Sequence, residues 1–419
     1  MTELTVLPGG CSKESIMASQ SILIITIPPL TGGVPDKARI LANHLRDLGH
    51  DVTVAHFATL SDYADLVVPS WQSISGKQPG IRDGSCFDDF PCVSVGCRFP
   101  ELEFTYYSST PRWRELIEKY DRHIVITGTV LTAHMIAKMK LPHLVWCAST
   151  MLEDRIDRRR ATPFLRRLFD RLFVSPILRN MEKTVLNGNG RFMGVSNYTR
   201  RMLIAAGGNA DKVSVTPIPI DLNRFQIPDT AAKPGVIGFA GRPEDGRKNL
   251  PLLFEAVKLL RDQGHDISLN LTGDPSPSLR NEIERLGLTN HVAWTGWLEQ
   301  DDLPAFYQDL DVFVIPSFQE GLNIAGLQAM ASGVPVVSTR CGGPEDYVID
   351  NETGFLVGFT ATDMANTIGE IIDDRSLRDQ LGVNARRLVE THYSHDHFKN
   401  CLADAWQDVW GDRPDAGSP

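Results

Sequence analysis

The chain runs to 419 residues, 42% hydrophobic and 22% charged, with a net charge of −10. That length suits two domains of roughly 200 residues with a cleft between them, and the composition excludes a disordered or fibrous protein. The acidic balance argues against nucleic acid as a partner, and seven cysteines without framework spacing point to a reducing compartment, by default the cytoplasm. The sequence shows neither a run of about 18 apolar residues nor a signal-peptide pattern, so neither a membrane span nor export is expected.

In chain order, residues 1–20 read as a flexible polar lead-in, and the fold opens with a continuous Ile/Leu strand over 21–27. Thr31-Gly32-Gly33 makes a turn. Pro35 then opens a helix with Ala38, Leu41, Leu45 and Leu48 on one face, and Gly49 ends it before a strand over 51–56. Strand, glycine turn, helix and strand make the repeating unit of a doubly wound parallel sheet. The stretch 61–112 has weak periodicity and reads as long loops around one short strand over 92–95. Strands over 123–127, 144–147 and 192–195, with a helix over 131–139, complete a first domain over 21–225. A polar linker over 226–234 leads to a second α/β series over 235–394, with strands over 236–240, 267–271, 291–294, 312–315 and 335–338. Phe398, Leu402, Ala405 and Val409 mark a last helix over 395–411, expected to cross back to the first domain, and 412–419 reads as a disordered tail.

The chemistry-bearing residues concentrate in the second half. Arg242 and Lys248 stand in a loop between a strand and a helix, at the carboxyl edge of the sheet where α/β proteins bind ligands, and two fixed cations there suit a diphosphate. Glu320 follows a strand ending at Pro316 and precedes a short helix over 324–331, whose free N–H groups around Asn323, Ile324 and Ala325 attract phosphate oxygens. Gly32-Gly33 reads either as a plain strand-to-helix turn or as a place where backbone approaches a ligand closely.

The pieces Gly194-Val-Ser-Asn-Tyr-Thr-Arg, Pro217-Ile-Pro-Ile-Asp221, Gly241-Arg242 with Lys248-Asn249, and the run from Pro316 to Val337 come in an order and spacing that resembles glycosyltransferase family 4 over about residues 191–360. The resemblance implies a GT-B fold, two facing Rossmann-like doubly wound parallel-sheet domains with a central cleft. It also implies a retaining transfer of sugar from a nucleotide-diphosphate sugar, with the acceptor on the first domain. Family roles carry over to Arg242 and Lys248 on the leaving diphosphate and to Glu320 on the donor sugar. Gly32, Gly33, Leu322, Asn323, Ile324 and Ala325 fall at the donor phosphates, and Leu298 near the base. In the family a second glutamate follows the first after seven residues and holds the ribose; here that position is Gln328, which trades a pure acceptor for a group that also donates. A histidine that many members carry near 147–150 is also absent, with Ala148 and Ser149 in its place. His134 and His143 read as core or surface groups.

The resemblance implies that no metal is required, because in a GT-B site Arg, Lys and a helix start supply the positive charge, and the spacing of Cys86, Cys92 and Cys97 is not that of a zinc ribbon. Residues 155–173 interleave seven arginines with Phe164, Leu165, Leu168, Phe169, Leu172 and Phe173 at helical spacing. Either this apolar stripe packs on the first sheet, the reading preferred from sequence, or it rests on an anionic membrane at the inner face. The function expected is therefore a glycosyltransferase acting on a glycan, lipid or small-molecule acceptor. A GT-B nucleotide-sugar epimerase and a catalytically silent glycosyltransferase-like binding protein are the alternatives.

Overall fold

Two parallel sheets, each covered on both faces by helices, account for the continuous apolar runs, since a strand buried on both sides has no polar face to show. The computed structural model describes residues 19–30, 32–87, 89–155, 164–228 and 234–415. The first sheet contains β1 (Ser21–Thr26), β2 (Asp51–Phe57), β3 (Ile81–Cys86), β4 (Phe90–Val95), β5 (Arg122–Thr129), β6 (His143–Ser149), β7 (Gly190–Gly194) and β8 (Val213–Val215). Their spatial order is β3-β4-β2-β1-β5-β6-β7-β8, parallel throughout except for β3 against β4. The second sheet holds β9 (Val236–Phe239), β10 (Ser268–Leu271), β11 (Val292–Trp294), β12 (Val312–Ile315), β13 (Val336–Thr339) and β14 (Gly354–Val357), in the order β11-β10-β9-β12-β13-β14. This is the doubly wound dinucleotide-fold order, which reverses direction between β9 and β12; the first sheet reverses between β1 and β5. Loops leaving the carboxyl ends of those four strands diverge and open a crevice.

A continuous core ties the two sheets together. Ile24 and Trp146 of the first, Phe313 of the second, and Met330 belong to one buried cluster with Phe398, Leu402 and Trp406 of the helix His395–Trp410. That last helix starts on Ser394, whose hydroxyl accepts from His397 N–H, and it lies on the first sheet with Phe398 stacked 5.2 Å from Trp146.

Four sequence expectations need correcting. The stretch read as loops around 92–95 carries a β-hairpin: Ile81–Cys86 pairs antiparallel with Phe90–Val95. Ile81-Arg82-Asp83-Gly84-Ser85 shows no apolar alternation because β3 is an exposed edge strand. The strands β8 and β14 were also not foreseen; both are short. Asp412, assigned to a disordered tail, is held by Arg122 at 2.8 Å and by Trp406 Nε1, which donates at 3.0 Å, while His50 Nε2 donates to Pro414 O at 2.9 Å.

The fourth correction concerns the arginine-rich segment. Residues 156–163 lie outside the described residues, as do 1–18 of the lead-in, 229–233 of the linker and 416–419. The helix Phe164–Phe169 continues through a wider turn at Asp170–Val174 into the helix Ser175–Leu186. The described part of its stripe does not pack on the sheet: Leu168, Phe169, Leu172 and Phe173, with Ile177 beyond them, are 39–59% exposed. The helix instead enters the core further on, through Val174, Leu178 and Met181.

Lys37, on the helix Gly33–Asp47, is 1% exposed and donates to Thr127 O at 3.3 Å and Trp146 O at 3.5 Å. Burial pulls its ammonium down to about 8 against the opposing pull of the Cys147 thiol. Between about pH 8 and the ordinary lysine value the unfolded chain carries a proton that the folded chain has lost, so this group makes stability rise with pH across that window. Denaturant unfolding at pH 7.5 and pH 9.5 should show wild type gaining stability relative to Lys37→Met; equal pH slopes would contradict the burial.

Candidate functional site

The crevice is built where the two sheet reversals face each other. On the second sheet, β9 ends at Phe239, and the chain passes through Gly241 to Arg242. Asp245 caps the following turn by accepting from Arg247 N–H, and the turn delivers Lys248. Asn249 then takes a left-handed conformation and donates from Nδ2 to Pro316 O at 3.1 Å, which ties this loop to the end of β12. Phe318 N–H donates to Arg247 O at 2.8 Å and adds a second tie.

Those ties bring Lys248 to Glu320. Nζ lies 2.8 Å from Glu320 Oε1, with 16% and 12% of the two side chains exposed. The same oxygen accepts from Ser317 Oγ at 2.7 Å and Asn323 Nδ2 at 3.1 Å. Burial opposes charge on Glu320, but the Lys248 ammonium and these three hydrogen bonds outweigh it and hold the carboxyl below its ordinary value. Asn323 sits at a positive φ of 67°, uses Oδ1 to accept from Gly326 N–H at 2.9 Å, and has its carbonyl fixed by Tyr347 OH at 3.0 Å. It thereby sets both the carboxylate and the start of the helix Ile324–Ala331.

Across the crevice, Gly32 caps the helix Gly33–Asp47 at φ 94°, a conformation that disfavours any side chain. A Cβ on Gly33 would come 3.9 Å from Ile324 Cδ1, so the starts of two helices from opposite domains meet here. Both present the positive end of a helix dipole, the arrangement that binds anions.

The sequence-derived residues fall unevenly around this point. Lys248, Glu320 and Asn323 are in direct contact, and Gly33 and Ile324 close the opposite side. Arg242 extends from the same loop, 64% exposed and 3.9 Å from Asp245, whose carboxylate is already engaged by Arg247. Leu322 is buried, Ala325 is half-buried, and Leu298 packs at the margin of the core from the loop after β11. Gln328 turns its Oε1 to the wholly buried Tyr307 OH at 3.0 Å, a partner that spacing did not reveal. His134 and His143 each use Nδ1 on a backbone carbonyl, and burial pulls His143 down to about 4, which keeps it neutral.

Sequence reasoning missed Ser317, Asp245 and Tyr347, all of which act by orienting a neighbour. The Asp245 signal was available as an acid three residues after Arg242 in a turn; the Tyr347 signal was not, because its contact spans 24 residues.

Comparison with known proteins adds the decisive observation. The profile described as Glycosyltransferase Family 4 matches residues 31–224, and that of Glycosyl transferases group 1 continues over 223–388. The chain belongs to glycosyltransferase family 4. Within that family it is 29% identical over 250 residues to a GDP-mannose-dependent alpha-(1-6)-phosphatidylinositol monomannoside mannosyltransferase of Mycobacterium tuberculosis (strain ATCC 25618 / H37Rv), covering 55% of this chain and 64% of that protein. It is 31% identical over 230 residues to a D-inositol 3-phosphate glycosyltransferase of Paenarthrobacter aurescens (strain TC1), covering 50% and 55%. The matches thus span less than two thirds of these curated relatives. Among solved structures, sucrose-phosphate synthase from Thermosynechococcus elongatus superposes with a TM-score of 0.71 at 19% identity, covering 94% of this chain and 99% of that one. Anabaena HepE in complex with UDP-glucose gives 0.69 at 18%, covering 93% and 100%. At such identities the likeness is one of fold, and the fold is GT-B.

Removing one member of the Lys248–Glu320 ion pair isolates its electrostatics. Lys248→Ala leaves a buried carboxylate without its cation and should cost about 3 kcal/mol in urea unfolding. Adding Glu320→Gln to that variant should recover part of the loss, and a double variant less stable than Lys248→Ala alone would show that the pair is not coupled.

Proposed function

We propose that this chain is a retaining glycosyltransferase, moving a sugar from a nucleotide-diphosphate donor held mainly by the second domain to a hydroxyl of a glycan, lipid or small-molecule acceptor held by the first. The observation that carries this reading is the meeting of Lys248, Glu320 and two opposed helix starts where both sheets reverse. Breaking the bond between sugar and phosphate sends negative charge to the diphosphate, and fixed cations and N–H groups lower the barrier by meeting that charge as it forms. In this reading Arg242 and Lys248 neutralise the leaving group, Gly32, Gly33, Asn323, Ile324 and Ala325 line the phosphates, and Glu320, held ionised, accepts from sugar hydroxyls. Gln328 faces the ribose with its amide group while Tyr307 holds its oxygen, and Leu322 and Leu298 pack beside the donor. The acceptor hydroxyl attacks from the leaving-group side and passes its proton to the departing phosphate oxygen. These groups supply the positive charge without a resident metal.

The relatives' names make GDP-mannose the first donor to assay and HepE makes UDP-glucose the second. Arg242 offers a clean test because it is largely exposed, so its loss leaves the fold intact. Loss of one preorganised charge-stabilising donor costs about 2.7 to 4 kcal/mol, and Arg242→Ala should cut turnover of the accepted donor at least about a hundredfold with its melting temperature unchanged. Near-normal turnover would remove Arg242 from the mechanism.

The exposed stripe Leu168, Phe169, Leu172, Phe173 and Ile177, flanked by exposed Arg166, Arg167 and Arg171, extends the proposal to peripheral binding at an anionic leaflet on the cytoplasmic side. Among the described residues no helix is long and apolar enough to cross a membrane. Sedimentation with phosphatidylcholine vesicles containing phosphatidylglycerol should retain wild type and release Leu172→Ser/Phe173→Ser. Equal retention of both would end the membrane proposal.

A further inference from the structure

The turn that carries Glu320 is clamped from both domains, and one clamp is a buried acid with no role in the transfer chemistry above. Within the second domain, Glu320 N–H donates to Cys341 O at 2.7 Å and Gly343 N–H to Glu320 O at 2.8 Å. From the first domain, Ser196 Oγ donates to Gly321 O at 2.6 Å, and Gly321 lies so close to Ala148 that a Cβ there would meet its carbonyl at 2.5 Å. Beside these contacts stands Glu153, 7% exposed, just beyond the end of β6.

Thr150 and Glu153 make a capping box. Glu153 Oε2 accepts from Thr150 N–H at 3.0 Å and Thr150 Oγ1 at 3.1 Å, and Thr150 Oγ1 accepts from Glu153 N–H at 3.5 Å. Helix capping accounts for that oxygen alone. The other, Oε1, accepts across the domain boundary from Gln319 Nε2 at 3.4 Å. Tyr198 joins the pair: burial, and then the Glu153 carboxylate, push its phenol above its ordinary value. The Tyr198 ring in turn lies where a Cβ on Gly342 would be, 2.9 Å from Cδ1, next to the carbonyl of Glu320. Glu153, Gln319, Tyr198 and Gly342 therefore form a chain of contacts that ends on the Glu320 backbone.

We infer that Glu153 is a positioning residue for transfer, which holds Gln319, and with it the Glu320 turn, in register against the first domain. The inference rests on the proposed function for its catalytic consequence but not for its structural one. A charge-assisted bond of this kind contributes more than a neutral one, and small displacements of a positioned group cost turnover rather than binding.

Exchanging donor and acceptor tests the link. Gln319→Glu sets two carboxylates together, whereas Glu153→Gln keeps an oxygen for the Thr150 cap and faces an amide that can turn over to offer its own oxygen. The double variant Glu153→Gln/Gln319→Glu restores one donor and one acceptor with their positions swapped. Two readouts are followed: backbone amide exchange of peptides spanning 317–327, and nucleoside diphosphate release from GDP-mannose and UDP-glucose. Gln319→Glu should exchange about tenfold faster in that segment and lose about tenfold or more in kcat with donor KM within about twofold, and the swap should return exchange and kcat to within about threefold of wild type. Exchange unchanged in Gln319→Glu, or a swap no better than Gln319→Glu alone, overturns the inference. Because exchange needs no turnover, wild type inert toward both donors would count against the proposed function alone, while the exchange result still decides the role of Glu153.

Discussion

Everything in the crevice depends on keeping one carboxylate ionised in a place where water is scarce. Glu320 loses hydration on burial, and the loss is met by a single oxygen that gathers an ammonium, a hydroxyl and an amide. Three separate pieces of chain must arrive together for that: the loop after β9 brings Lys248, the end of β12 brings Ser317, and the start of the next helix brings Asn323. The topology makes this possible, since β9 and β12 are neighbours in the sheet although about 70 residues separate the loops that follow them. The ion pair and the strand order are thus two views of one constraint.

The second domain was the more legible half of the sequence. Its short Val- and Ile-rich strands alternate with helices of clear period, and Lys248 and Glu320 stand in loops whose position follows from strand and helix order alone. Less legible was anything whose meaning lies in a distant partner. Gln328 looked like a ligand group, and the structure gives its oxygen to Tyr307, 21 residues away in the chain and invisible to local pattern. Edge strand β3 has no buried face to write an alternation, so polar residues hid it. The arginine-rich segment shows the opposite failure: an amphipathic period does not say whether the apolar side is covered, and here Leu168, Phe169, Leu172 and Phe173 stand exposed along with Arg166, Arg167 and Arg171.

A similar distinction separates the residues that were singled out from those that were not. Charged groups near glycine turns announce themselves by type and place. Glu153 has a local explanation, the Thr150 cap, and its second oxygen acquires significance only when Gln319 is brought over from another domain 166 positions away. Long-range partners of this sort also explain why two domains with separate sheets share one core, closed by a final helix that returns to the first of them.

The anchoring of Asp412 has a practical side. Gln20 and Arg122, at the amino-terminal edge of the first sheet, both reach this residue, so chain entering β1 and chain leaving the last helix sit together at the rim opposite the crevice. A linker joining the two would bridge a short gap, and a circularly permuted protein opened at a surface loop elsewhere would keep both halves of the ligand groove intact.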